Sequence, residues 1–354
     1  MRTESLDFLR QLIETPSPSG FEQPAQRLVR HYVAPYADEV RTDVHGNVIA
    51  VKNPEGTPRV MLAGHCDQIG MMIQHISEDG YLYFAAVGGI DAAVMAGIPV
   101  VVHNERGPVI GVIGRRPIHL LKAEERDKPK LDLSDMFIDI GAKDKEDAQG
   151  KVEIGDCATF HLHMDTLMND LVAGPGFDDK VGSFVVCEAL RLIGDKKLGC
   201  AVYAVSTVQE ELGLRGARTA AFGIDPQVGI AVDVTHGTDY PGCDCKKTGE
   251  CKLGQGPTIA RGPNINPVLR KLMQETATKK KIPWQPEPEP RATGTDANSI
   301  QISRAGVATG LVSIPNRYMH TPVEIVHLED LENAAKLLAE TCLKIKSDAD
   351  FTPL

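Results

Sequence analysis

Positive charge is in short supply: 38 Lys and Arg stand against 48 Asp and Glu, for a formal net charge of -10. A phosphate backbone is held by clustered cations on a basic background, so this balance argues against nucleic acid as a partner. Long apolar runs are missing too. The best, around Ala92 to Val102, is broken by Gly97 and Pro99 and falls short of the roughly 18 residues that a membrane span needs. The N-terminus has no apolar signal core; Leu6, Leu9 and Ile13 recur there at helical spacing behind Thr3 or Ser5 as a cap. A soluble, cytoplasmic protein is expected. Eight cysteines in 354 residues are too sparse for a disulfide scaffold, and Cys187 and Cys342 lie in apolar helical patterns, as reduced core residues do. Cys243, Cys245 and Cys251 share a polar loop without the tight pair and fourth ligand of a zinc knuckle, so they are read as loop cysteines. Repeats and long low-complexity tracts are absent as well.

The length exceeds what one hydrophobic core usually organises, which implies two domains or one with a large insertion. Up to residue 65 the pattern gives helices near 3–14 and 21–35, turn-rich segments, and a short strand from Arg59 to Ala63 that delivers His65. From about 70 to 163 the texture becomes short β-prone runs separated by Gly, Asp and Asn, such as Tyr81 to Phe84, Val100 to Val102 and Val109 to Ile113. After Gly174-Pro-Gly176 the chain alternates again. Helices are expected near 180–193, 215–222, 266–280, 295–304 and 328–346, with strands near 200–207, 228–232 and 309–314 and a Pro-rich stretch at 283–290. Such alternation implies an α/β sheet with helices on both faces. Residues 1–70 and 164–354 therefore read as one α/β domain, with residues 71–163 as an inserted β-rich module.

The polar residues presented at the strand ends of the α/β part are His65 and Asp67, Asp178 and Asp179, Glu210 and Glu211, Asp233, and His320. Every one is an imidazole or a carboxylate. Singly, each has an ordinary explanation: a core histidine at 65, a helix cap at 178–179, a turn starter at 233, a surface histidine at 320. Their coincidence does not. Nitrogen and oxygen donors from several strand ends converge in the crevice beyond a sheet's carboxyl edge, where they can hold a metal. Two histidines and four or more carboxylates exceed what one tetrahedral zinc uses, so the count favours two cations sharing a carboxylate. The adjacent acids Glu210 and Glu211 would repel each other without such neutralisation.

Five segments carry a family resemblance: Gly64-His65-Cys-Asp67-Gln-Ile-Gly70, Gly176-Phe-Asp178-Asp179-Lys180-Val-Gly182, Val208-Gln-Glu210-Glu211-Leu-Gly-Leu-Arg-Gly216, Val232-Asp233-Val-Thr-His236 and Pro315-Asn-Arg317-Tyr-Met-His320. In this order, and with Gly294-Thr-Asp296-Ala, they resemble the M42 family of metalloaminopeptidases, whose members include glutamyl and deblocking aminopeptidases, the tetrahedral (TET) peptidases and proteins labelled endoglucanase M. The resemblance spans essentially the whole chain. It implies a mixed sheet flanked by helices, of zinc-peptidase type, with a PDZ-like β-barrel dimerisation domain inserted. It also implies two divalent metal ions, zinc or cobalt with manganese as a further option: one held by His65 and Asp233, the other by Glu211 and His320, with Asp178 bridging. Glu210 would be the general base toward the metal-bridging water, and Asp67 would hydrogen-bond the His65 imidazole. A cis peptide between Asp178 and Asp179 is expected on the same ground. Gln68 and Lys180 depart from the family pattern, which has an acid and an arginine there; neither is an expected ligand.

The expected reaction is removal of the N-terminal residue from peptides. The rivals are an M20-type carboxypeptidase or deacylase, an endoglucanase, and a non-enzymatic assembly protein. The long insertion lies between His65 and Asp178, before the bridge, which favours the M42 arrangement over M20. An endoglucanase needs two carboxylates flanking a sugar ring rather than carboxylates interleaved with histidines. A homo-oligomer, from dimer to tetrahedral dodecamer, is implied by the resemblance. His119 is read as a structural residue of the module, with reach toward an active site as the alternative. Arg261, Arg291 and Arg317 are the candidates for a pocket that takes an acidic side chain, with a neutral or aliphatic preference equally open.

Overall fold

A computed structural model describes residues 1–120 and 132–353. Two amphipathic helices, Thr3–Glu14 and Gln23–Val33, lead into strands β1 (Glu39–Thr42), β2 (Val48–Lys52) and β3 (Arg59–His65). Then come β4 (Gly70–Ile76), β5 (Leu82–Val87), β6 (Pro99–His103), β7 (Val109–Gly114), β8 (Phe137–Asp139) and β9 (Cys157–Phe160), which close into a barrel in the order β4-β5-β8-β7-β6-β9. Its interior is apolar, with Met71, Ile73, Leu82, Val100, Val102, Ile113 and Ile138 among the buried side chains. The short strands β10 (Asp165–Thr166) and β11 (Leu171–Gly174) return the chain to the first domain. Residues 121–131, which belong to the expected module, lie outside the described residues.

The second part of that domain alternates as its pattern predicts. It runs through the helix Phe177–Ile193, β12 (Ala201–Thr207), the helix Arg215–Ile224, β13 (Val228–His236), β14 (Thr258–Arg261) and the helix Pro267–Lys280. It ends with β15 (Gln285–Pro288), the helix Asp296–Gln301, β16 (Ala308–Asn316), β17 (Glu324–His327) and the helix Leu328–Cys342. Local chemistry sets several boundaries. Asn266 accepts hydrogen bonds from the amides of Val268 and Leu269, and Pro267 supplies a first helical position that needs no amide donor.

Among the described residues, eight strands form the main sheet in the order β1-β2-β12-β3-β13-β16-β14-β15. The four central strands, β12, β3, β13 and β16, are mutually parallel, so all four end at one edge. Being covered on both faces, they read as nearly continuous apolar runs. One face packs against the helices Thr3–Glu14, Phe177–Ile193, Pro267–Lys280 and Leu328–Cys342, and the other against Arg215–Ile224 and Asp296–Gln301. The α/β sheet with an inserted barrel is thus the architecture expected. No helix among the described residues is long and apolar enough to cross a membrane.

Four strands of the main sheet, β1, β2, β14 and β15, depart from the sequence reading, which placed none there. β1 and β2 occupy a stretch read as turns, because β1 is short, polar and exposed at the sheet margin. β15 lies in the Pro-rich stretch; it forms the opposite margin, where a proline without an amide breaks no interior ladder.

Candidate metal centre

The parallel strands bring the expected residues to one place. β3 ends in His65, β12 leads directly to Glu210 and Glu211, β13 carries Asp233 three residues before its end, and the loop after β16 carries His320. Asp178 enters from the kinked, non-helical start of Phe177–Ile193, just ahead of its regular turns. That helix lies very close to β3. A Cβ on Gly64 would fall 2.2 Å from the Gly182 carbonyl carbon, so the glycine is what lets Asp178 approach His65. The peptide joining Asp178 to Asp179 is cis, as expected.

Two donor groups result, and they overlap. Among the described residues, His65, Asp178 and Asp233 form one set within metal-ligating range, and Asp178, Glu211 and His320 form another. Asp178 spans them: one carboxylate oxygen is 3.3 Å from His65 Nε2, the other 3.2 Å from His320 Nε2. Glu210 belongs to neither group, although its Oε2 is 3.7 Å from His65 Nε2. All of these line a cavity of about 520 Å³.

The surrounding contacts aim the donors. His65 Nδ1 donates to the main-chain carbonyl of Asp67 at 3.0 Å, and Nε2 faces the cavity 3.3 Å from Asp178, where its lone pair becomes available to a metal once that nitrogen gives up its proton. The Asp67 carboxylate, expected beside the imidazole, has its nearer oxygen 3.4 Å from Nδ1. It also accepts from Ser19 Oγ at 2.6 Å and from the amides of Glu210 and Glu211 at 3.0 and 3.2 Å. Asp67 therefore fixes the imidazole through its carbonyl and the Glu210-Glu211 turn through its side chain. Asp179 accepts the amides of His65 and Gly182 and serves as a local cap.

The electrostatics call for cations. Burial, reinforced by neighbouring carboxylates, pushes Glu210 up to about 10 and Glu211 up to about 7. Asp233 is also raised, again chiefly by burial. The Asp178 carboxyl is held low because the hydrogen bonds from His320 and His65 outweigh its burial. The same bond to Asp178 raises the His320 imidazole to about 9. Protons thus stand where positive charge is wanted. Glu211 Oε1 is buried with no hydrogen-bond partner among the described residues, a cost a polar atom carries only when something else satisfies it. The donor set, with imidazole nitrogens and carboxylate oxygens, fits zinc, cobalt or manganese.

Other residues of the site escaped the sequence reading. Glu324, fully buried, accepts the Asp178 amide at 2.8 Å and the His320 amide at 3.1 Å, tying two donors to one carboxylate. Its only signal was a lone acid in the apolar run Val323 to Val326, four residues past His320. Asp296, in the quoted Gly294-Thr-Asp296-Ala segment, is buried and accepts from Thr207 Oγ1 at 2.6 Å. Gly88 and Gly89 bring the barrel to the site: a Cβ on Gly88 would lie 3.0 Å from Glu211 Oε2, and one on Gly89 3.0 Å from His320 Nδ1. His119 is exposed on the turn Ile118–Leu120 and does not line the cavity.

The arginine candidates are also absent from the cavity wall. Arg317 is paired with Asp239 at 2.7 and 2.9 Å, and Arg261 and Arg291 are exposed. Of the family departures, Gln68 is buried beside Gly176, and Lys180 donates from Nζ to the carbonyls of Ile13 and Thr15.

Residues 46–337 match the family model for M42 glutamyl aminopeptidase. The chain is 41% identical to a lysyl aminopeptidase from Pyrococcus furiosus over 98% of its own length and 99% of the relative's. The fold superposes on a TET aminopeptidase from a marine-sediment Thaumarchaeota archaeon with a TM-score of 0.92, at 35% identity and 98% coverage of each chain. It also matches the Pyrococcus horikoshii TET1 peptidase, described as assembling into a tetrahedron or a large octahedral shell, with a TM-score of 0.85, 34% identity, and coverage of 96% of this chain and 100% of that one.

Proposed function

This chain belongs to the M42 family of aminopeptidases and is a peptide hydrolase, and on that premise we propose a dinuclear metal-dependent aminopeptidase that removes the N-terminal residue from peptides. The observation that carries the reading is the pair of donor triads sharing Asp178, the second of which includes a Glu211 oxygen with no hydrogen-bond partner among the described residues. His65, Asp178 and Asp233 would hold one divalent ion and Asp178, Glu211 and His320 the other. When bound, such ions acidify water and polarise a peptide carbonyl.

The protein's own groups then do the rest. Glu210, outside both triads but within reach of them, takes a proton from the attacking water and passes it to the departing amine. Glu211, one residue on, is committed to the second ion, so the adjacent acids have different tasks. Asp67 keeps both in place by holding their amides, and its carbonyl keeps the His65 tautomer that presents Nε2. The assembly of relatives into closed shells supports a homo-oligomer here as well.

The test is hydrolysis of aminoacyl-nitroanilides by full-length protein, with and without chelator, beside carboxymethylcellulose. Chelator-sensitive release of nitroaniline with no cellulose cleavage is expected; the opposite pattern would refute the proposal. Light scattering on the same sample should give a closed oligomer, and a monomer at micromolar concentration would overturn that part.

A further inference from the structure

Two carboxylates in the cavity have no part in the scheme above. Glu287 and Glu289 line the same cavity as the donor triads, with Thr293, Thr295 and Ser313. The sheet fixes where they stand. Asp233 on β13 is in register with Ser313 on β16, and Ser313 with Thr258 on β14. Glu287 reaches this row from β15, its Oε2 accepting from Thr258 Oγ1 at 2.5 Å and from Ser313 Oγ at 2.8 Å. Its own register partner on β14 is Ala260, two residues past Thr258, so its side chain leans back along the strand into the row, on the wall of the cavity that holds the donor triads.

Glu287 is only 9% exposed, yet its second oxygen has no hydrogen-bond partner among the described residues. The side chain of Glu289 has none either, and its carboxyl is raised by burial and by Glu287. Among the described residues, no Lys or Arg lines the cavity. If two dications are bound, Asp178, Glu210, Glu211 and Asp233 balance them, and the Glu287-Glu289 pair is left as uncompensated negative charge. Two neighbouring carboxylates, Glu287 buried and Glu289 half-buried, are costly to hold together until a cation arrives.

We propose that Glu287 and Glu289 form the subsite for a cationic side chain on the substrate's N-terminal residue, so that Lys or Arg is removed in preference to neutral or acidic residues. This rests on the aminopeptidase reading and adds the substrate class. Lysine suits the geometry, since a flexible four-carbon stem carries its compact charge away from the scissile bond. It also reverses the polarity that the arginine candidates had suggested.

The experiment measures kcat/KM of the metal-supplemented full-length protein on lysyl-, arginyl-, norleucyl- and glutamyl-nitroanilides. Norleucine keeps the lysine stem without its charge. Lysyl and arginyl substrates are expected to exceed norleucyl by about tenfold or more, and E287Q and E289Q to shrink that ratio toward one. Glu289 has no side-chain partner among the described residues, so E289Q keeps the test valid if melting curves reveal that E287Q is unstable. The inference is overturned if norleucyl or glutamyl substrate is hydrolysed as well as lysyl while the enzyme is active. It is equally overturned if the variants lower lysyl and norleucyl hydrolysis alike, since the carboxylates would then serve the α-ammonium group. Absence of turnover on all four substrates removes the aminopeptidase reading, and this inference with it.

Discussion

Replacing Glu324 tests whether the two donor groups are one machine. Its carboxylate accepts the Asp178 amide at 2.8 Å and the His320 amide at 3.1 Å from a buried position. His320 sits in the left-handed region with φ of 62°, a conformation costing about 1–3 kcal/mol that persists only where its surroundings enforce it. Each hydrogen bond contributes about 0.5–1.5 kcal/mol to a neutral acceptor and about 1.5–3 kcal/mol to an ionised one. In Glu324→Gln the amide oxygen can accept one of the two amides, but its NH2 then confronts the other. One bond is lost, and His320 is freed to leave its strained conformation. Partners of this kind typically change metal affinity by about 10–100-fold on mutation, or about 1.4–2.8 kcal/mol, which lies within the range set by the lost bond. The assay is calorimetric titration of zinc or cobalt into chelator-stripped protein, with melting curves as the control for folding. The weakened step should be the one that needs Asp178, Glu211 and His320. An isotherm matching wild type in a normally folded variant would refute the argument.

Glu210→Gln should lower kcat by about 10²–10⁴-fold while both ions still bind, measured by kinetics beside metal analysis; near-normal turnover would remove Glu210 from the mechanism. In chelated protein, burial raises Glu211 to about 7, Glu324 to about 8 and Asp296 to about 6. A carboxyl raised by folding contributes stability that is complete below its unfolded value and lost as pH rises through the folded one. His320, raised to about 9 by its bond to Asp178, acts in the same direction. Chelated protein should therefore melt earlier at pH 8 than at pH 5, and divalent ions should restore it at pH 8; a chelated protein that melts later at pH 8 would contradict this. Lys180→Met removes a fully buried ammonium that donates to the carbonyls of Ile13 and Thr15. Leaving both acceptors unpaired should cost about 1–3 kcal/mol each, seen as a lower denaturant midpoint, and an unchanged midpoint would mean that the carbonyls find other donors.

Apart from Asp178, which starts a helix, the donors were legible because each is an imidazole or carboxylate at or soon after the end of an apolar run, and a parallel sheet sends such ends to one edge. Asp233 shows the limit of that signal. Its strand continues to His236, paired with β16 throughout, so the residue works from within the strand. Glu324 stayed hidden because its partners are main-chain amides, which have no signature in side-chain chemistry. Glu287 and Glu289 were hidden for another reason. Alternating with prolines, they look like a loop, and only the pairing of β15 with β14 turns the segment into a cavity wall. The arginine candidates failed on geometry, since charge type says nothing about which side of a strand a residue faces.

The approach of Gly88 and Gly89 to Glu211 and His320 means that the chain cannot be divided into an enzyme and a scaffold. A cut that removed the barrel would also strip a wall from the second donor triad, so the excised α/β domain would be an incomplete catalyst even if it folded. For the same reason, a partner that grips the barrel has a short lever to the chemistry, with only four residues of chain between His65 and the first barrel strand at Gly70.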